Sequence, residues 1–273
     1  MTRLLLIDSG ALAGAFASEP LSVRHELTAH ALLTVEALAE LADSLPVEKV
    51  EHNTGKLPAV LVGDAPIVDL QPGEIARGIE TNGCWMVLKN IEQHPAYCEL
   101  LNTTLDEVEP LVRDREGSMQ KREGFVFLSA PGSVTPSHVD PEHNLLLQIR
   151  GTKDMNVGRF PDAETEQRHL ERFYGGGHRN IDQLPVSTQT FPLTPGDGVY
   201  VPPNAPHWVQ NGEGVSVSLS ITWQTPVTER VARVHAVNAR LRRLRLSPRA
   251  PNEDGLRDRA KATLSRSLAM LKR

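Results

Sequence analysis

The sequence predicts a mainly β chain with helices on both flanks, its central strands closed into a jelly roll. Three observations carry that prediction. Residues 84–90 (CWMVLKN), 124–130 (GFVFLSA), 143–149 (HNLLLQI), 154–160 (DMNVGRF), 198–203 (GVYVPP) and 215–223 (VSVSLSITW) are short, apolar or β-branched, and parted by Gly, Pro and Asn clusters. Helical spacing falls at 34–45, at 94–112 and after Trp223, with one further short helix between the fourth and fifth runs. The intervals between the strands are too irregular for a repeat array, and closure into a jelly roll or double-stranded β-helix is the natural way to remove open edges.

The flanks follow from pattern. Residues 34–45 (TVEALAELADSL) space Val35, Leu38, Leu41, Ala42 and Leu45 at helical intervals and stop before Pro46. Residues 94–112 predict two short helices, with Pro95 in the first turn of one and Thr104 to Glu107 as the capping box of the next. Arg150-Gly151, between two strand runs, predicts a tight hairpin. Residues 161–185 interrupt the strands with a short helix and three glycines, an insertion read as surface elaboration ahead of a lid. After Trp223 two helices are expected, with Val231, Val234, Val237, Leu241 and Leu244 as an apolar stripe on the first. The expected units are therefore 1–120, a helical and strand region packing on the barrel; 121–224, the barrel; and 225–273, the terminal helices.

Composition sets outer bounds. At 273 residues, with 40% apolar and 23% charged residues, the chain buries a substantial core and is neither disordered nor fibrous. Two cysteines, Cys84 and Cys98, are too few for a disulfide scaffold and lack zinc-site spacing, which fits a reducing, cytoplasmic setting. Asp8 breaks the apolar start, against a signal peptide, and no segment reaches the roughly 20 apolar residues of a membrane helix. Residues 225–273 carry thirteen Lys/Arg against four Asp/Glu, a balance of +9 in a chain of net charge −5. We expect that basic end to dock on the acidic body or a second subunit and not on nucleic acid.

The chemistry starts at 136–153, PSHVDPEHNLLLQIRGTK. His138 and Asp140 stand at i and i+2, so on an extended segment their side chains share one side and can hold one ion. Farther on, TPGDGVYVPPNAPHWVQN places His207 after a rigid turn, completing a set of two histidines and one carboxylate that covers one face of an octahedral metal and leaves positions open. Lys153 is costly inside a small barrel unless paired, and the distal carboxylate of a bound dicarboxylic acid is its natural partner. Ser216, Ser218, Ser220 and Thr222 share one strand face, which suits a barrel that holds a polar ligand and equally suits a wet outer surface. His25, His30, His52, His94, His169, His178 and His235 are expected to be exposed or capping residues, and His143 to face away from the site.

Together, T-x-x-H-x-D at 135–140, N-x-x-x-Q-I-[KR]-G-x-K at 144–153 and the proline-rich turn before His207 resemble the JmjC and cupin-like Fe(II)/2-oxoglutarate dioxygenases. The likeness runs from about Phe125 to Trp223 and is strong to the group containing the asparaginyl hydroxylase that acts on hypoxia-inducible factor. It implies a double-stranded β-helix with iron on His138, Asp140 and His207, and with Thr135, Asn144 and Lys153 around the 2-oxoglutarate co-substrate. Where that group has an inward asparagine in the last core strand, this chain has Ser220 or Thr222. It further implies O2 as oxidant, a peptide, protein or small-molecule substrate, hydroxylation or oxidative demethylation, and a homodimer through the C-terminal helices. Asp140 leaves no position for a halide, so halogenation is not expected. Two other classes remain open from the residues alone: a cupin metalloenzyme that uses no 2-oxo acid, which has no need of Lys153, and a non-catalytic JmjC-like binding module.

Overall fold

Eight successive strands carry the chain back and forth between two sheets. In the computed structural model, which describes residues 3–251 and 255–270, the strands are β1 (Leu5–Leu6), β2 (Leu21–His25), β3 (Val50–Thr54), β4 (Cys84–Lys89), β5 (Gln120–Ser129), β6 (Val134–His138), β7 (His143–Arg150), β8 (Lys153–Arg159), β9 (Val186–Leu193), β10 (Asp197–Val201), β11 (His207–Asn211) and β12 (Ser216–Gln224). The helices are α1 (Ser9–Ala15), α2 (Val35–Ser44), α3 (Pro72–Arg77), α4 (Pro95–Asp106), α5 (Glu109–Glu116), α6 (Ala163–Tyr174), α7 (Pro226–Arg243) and α8 (Gly255–Met270). One sheet has the order β1-β2-β10-β7-β12-β5-β4-β3 and the other β6-β11-β8-β9. From β5 to β12 the chain thus forms a jelly roll of two facing four-stranded sheets, the predicted double-stranded β-helix. Strands β1 to β4 extend the larger sheet at both edges.

Alternation explains why the larger sheet is buried on both faces. In β12, Val217, Leu219, Ile221 and Trp223 point outward into a core shared with Leu38, Ile75, Leu101 and Leu105 of the N-terminal helices. The hydroxyls of Ser216, Ser218, Ser220 and Thr222 point into the barrel, and all four residues are buried. Strand β7 does the same, with Leu145, Leu147 and Ile149 outward and Asn144, Leu146 and Gln148 inward. Inward polar atoms are matched in pairs: Ser218 Oγ donates to Gln148 Oε1 at 2.6 Å and Ser220 Oγ to Asn144 Oδ1 at 2.8 Å. The serine face is therefore interior, which settles the alternative left open by pattern. A smaller cluster of Leu146, Met155, Val157, Phe191, Val199 and Val209 packs between the two sheets.

Four local expectations are corrected. Arg150-Gly151 is not a hairpin, because β7 and β8 belong to different sheets. Gly151, at φ 69°, turns the chain from one sheet to the other, and a Cβ there would lie 2.1 Å from the Val215 carbonyl oxygen. Thr104 does not cap a helix: α4 continues through it, and its hydroxyl bonds back to Leu100 O at 2.8 Å, while α5 starts after Val108 with no side-chain cap. On α7, Val234 and Val237 are buried, but Leu244 lies past the helix end and is 72% exposed, because Arg245 takes a left-handed conformation (φ 62°) that breaks the stripe. His25, His169 and His235, expected at the surface, are buried. His25 holds the larger sheet to the N-terminal segment: its Nδ1 accepts from Leu27 N, so Nε2–H donates to Gln148 O at 3.0 Å.

Candidate active site

A fault in strand pairing brings the key residues of β6 to one face. Opposite β11, His138 pairs with His207 while Thr135 pairs with Val209, so three steps on β6 match two on β11. This bulge turns both Thr135 and His138 inward, which regular period-two alternation forbids. Asp140 follows just past the strand end. The donor atoms of His138, Asp140 and His207 all lie within 4.8 Å of one another, and Asp140 Oδ2 is 3.5 Å from the Nε2 atoms of both histidines.

The imidazoles are oriented by the backbone. His138 Nδ1 lies 2.7 Å from Pro136 O and His207 Nδ1 2.9 Å from Ala205 O. A carbonyl only accepts, so Nδ1 carries the proton in each ring and Nε2 presents a lone pair to the common point. Burial, and next the neighbouring His207, push His138 down to about 4, which keeps it a neutral ligand. Burial works to raise the Asp140 carboxyl, but the His138 ring and the Arg179 guanidinium outweigh it and hold that group well below the usual carboxylate range. Arg179 Nη1 donates to Asp140 Oδ1 at 3.1 Å, leaving Oδ2 for an ion. Two imidazole nitrogens and one carboxylate oxygen on one side of a cavity form a donor set suited to a divalent transition metal with open positions.

The triad opens onto a cavity of about 300 Å³, and all eight residues singled out from sequence line it: Thr135, His138, Asp140, Asn144, Lys153, His207, Ser220 and Thr222. Phe125, Phe127, Leu146, Met155 and Val209 supply its apolar wall. Lys153 starts β8 and points inward, only 6% exposed, with no hydrogen bond or ion pair to any of the described residues; burial pushes its ammonium down to about 7. A cation so placed is stabilised only by an anion that enters the cavity. His143, as expected, faces away. It lies on the outer side of β7 stacked between Phe16 and Trp223, linked to Tyr200 Oη at 2.8 Å and Glu116 Oε2 at 3.1 Å.

Other residues of the site carry no signal in sequence. Trp85 of β4 donates from Nε1 to Thr135 Oγ1 at 3.1 Å, fixing a hydroxyl on the cavity wall. Arg179 sits in the 161–185 insertion, whose returning limb joins the edge of β6 through the His138–Asn180 bridge and Ile181 N to Ser137 O. Glu142 lines the mouth, its carboxyl pushed up to about 7 by burial and then by Asp140. Beyond the mouth runs an open groove of about 610 Å³, which shares Thr135, His138, Phe173 and Arg179 with the cavity and is walled by Leu57, Leu61 and Ile67.

Known proteins resemble this fold. A family model described as a JmjC domain matches residues 111–231. This part of the chain resembles a JmjC domain. Jumonji C domain-containing protein 5 of Drosophila melanogaster is 30% identical over 141 residues, 48% of this chain and 31% of that one, so the match spans about a third of that relative's length. A likeness in fold extends over the rest of the chain as well. Crystal structures of the Escherichia coli ribosomal oxygenase YcfD superpose on 99% of this chain and 68% of theirs, with a TM-score of 0.55 at 15% identity. A structure of the same oxygenase in complex with cobalt and 2-oxoglutarate superposes on 98% of this chain and 68% of its own, at TM-score 0.55 and 14% identity.

Proposed function

We propose that the chain is an Fe(II)- and 2-oxoglutarate-dependent oxygenase that hydroxylates a peptide or protein side chain. One observation carries the reading: Lys153 is a buried cation with no counter-charge among the described residues, on the wall of the same cavity as the His138, Asp140 and His207 triad. Iron and the 2-oxo acid supply the oxidation with O2, the co-substrate leaving as succinate and carbon dioxide while a substrate C–H becomes C–OH. The protein's own residues do the rest. His138 and His207 present Nε2, and Asp140 presents Oδ2 while Arg179 holds Oδ1. Lys153 and Thr135 receive the distal carboxylate, and Asn144, Ser220 and Thr222 line the co-substrate's polar side. Phe125, Phe127, Leu146 and Met155 keep bulk water from the reacting atoms.

A peptide substrate is favoured over a small metabolite by the open groove that continues from the mouth, and by the ribosomal oxygenase activity named for the E. coli structures. The same reading includes hydroxylation ahead of demethylation, a cytoplasmic setting suited to the free thiols Cys84 and Cys98, and a homodimer through α7 and α8, next to which Leu244 and Leu246 are exposed. Among the described residues no helix is long and apolar enough to cross a membrane. The test is succinate formation from 2-oxoglutarate by anaerobically purified protein given Fe(II), ascorbate and O2, paired with 2-oxoglutarate binding. Turnover or metal-dependent binding that disappears in His138→Ala supports the oxygenase; absence of both in folded, metal-loaded protein refutes it.

A further inference from the structure

Two hydrogen bonds connect the insertion helix α6 to a metal-binding residue. Tyr174, the last residue of α6, donates from its hydroxyl to Asn204 Oδ1 at 2.7 Å. The backbone N–H of Asn204 in turn donates to the carbonyl oxygen of Asp140 at 2.7 Å. Asn204 lies in the turn after Pro202-Pro203 that leads to His207, and it is left-handed, at φ 62°. The same residue thus braces the peptide of one triad member and the approach to another. Asparagine is one of the few residues with a side chain that take this conformation readily, which leaves its amide to bond elsewhere. The Tyr174 hydroxyl is what reaches it.

We propose that Tyr174 is a positioning residue for the metal centre, acting through Asn204 to fix the Asp140 peptide and the turn before His207. This rests on the triad binding a divalent metal and goes beyond it by giving the insertion a part in the centre's geometry. The competing explanation is packing alone, since the Tyr174 ring stacks on His235 of α7 at 5.4 Å with the planes 5° apart. The two are separable, because phenylalanine keeps the ring and its stack and removes only the hydroxyl. Asn204→Gly is the complementary variant: glycine accepts a left-handed conformation without strain and keeps the N–H to Asp140, while the acceptor for Tyr174 is lost.

Co(II) binding, followed by equilibrium titration and by its visible absorption spectrum, tests this without turnover. The 273-residue chain is compared with Tyr174→Phe, Asn204→Gly, the double variant and His207→Ala, each with its melting temperature without metal. We expect Tyr174→Phe to weaken Co(II) binding about tenfold, the low end of what loss of an outer-sphere partner costs, with an altered spectrum and a melting temperature within about 2 °C of the parent. Asn204→Gly gives a similar loss, and the double variant loses little more than either, as for two members of one chain of contacts. Unchanged Co(II) affinity and spectrum in Tyr174→Phe overturns the proposal, as do fully additive losses. If the parent binds no Co(II), or binds it equally well as His207→Ala, the metal-centre reading itself fails and this proposal falls with it.

Discussion

Replacing Lys153 by methionine keeps the aliphatic stem and removes the cation, so it separates what this residue costs the fold from what it gives the site. In the ligand-free protein burial lowers the Lys153 pKa from 10.5 to about 7. Between those values the unfolded chain holds a proton that the folded chain does not, so stability rises with pH by about 1.4 kcal/mol per unit. Below about pH 7 the whole penalty applies, roughly 5 kcal/mol from the size of the shift. Relaxation and water in the cavity reduce it, so we expect Lys153→Met to stabilise the ligand-free protein by roughly 2–5 kcal/mol at pH 7. At roughly 2–4 °C per kcal/mol for a chain of this size, the melting temperature rises by about 5 °C or more. That advantage shrinks as the pH is raised toward about 10. The assay is thermal unfolding at several pH values, repeated with Mn(II) alone and with Mn(II) plus 2-oxoglutarate; Mn(II) should stabilise both proteins, and 2-oxoglutarate should add a further shift in the parent and little in the variant. A variant that melts below the parent at neutral pH, or a gap that stays constant with pH, refutes the account of Lys153 as a cation waiting for an anion.

Three further outcomes follow from contacts described above. Trp85→Phe removes the N–H that fixes Thr135 Oγ1; at about 1 kcal/mol for the bond, 2-oxoglutarate binding should weaken about fivefold with metal affinity unchanged, as measured by calorimetry. Gly151→Ala puts a Cβ into the Val215 carbonyl at a left-handed position, so a loss of about 3 kcal/mol or failure to accumulate as folded protein is expected in chemical denaturation. For Glu116, burial acts to raise the carboxyl but hydrogen bonds from His143 and Thr225 outweigh it and lower it below 4.5. The stability it gives is present above its unfolded pKa and lost as pH falls through the folded one, so Glu116→Gln should flatten the acid limb of the stability curve below about pH 4.5.

The strands of the roll and the residues of its cavity were legible because their signals are local. Alternation in 143–149 and 215–223 fixes which residues share a face, and His138, Asp140 and Lys153 each stand out as polar groups in apolar or constrained surroundings. What was not legible depends on partners distant in the chain. Trp85 meets Thr135 across 50 residues and Arg179 meets Asp140 across 39, and neither has a pattern that announces it. Arg150-Gly151 marks a turn correctly but says nothing of which sheet receives the next strand. His25, His169 and His235 look like surface residues because burial of a histidine is decided by what folds over it. Thr104 satisfies a capping motif, yet its hydroxyl bonds within α4 because the helix runs on.

The larger sheet has helices on one side and the reaction cavity on the other, and this limits how the protein can be dissected. The segment that matches the JmjC domain model, 111–231, contains every triad residue and Lys153. Cut out at those limits, it would show water the outer faces of β7 and β12, with Leu145, Leu147, Ile149, Val217, Leu219, Ile221 and Trp223 stripped of Leu38, Ile75, Leu101 and Leu105. It would also present β5 as a bare edge where β4 now pairs. The isolated segment is expected to aggregate, so the N-terminal region is as necessary to a folded cavity as the strands that line it.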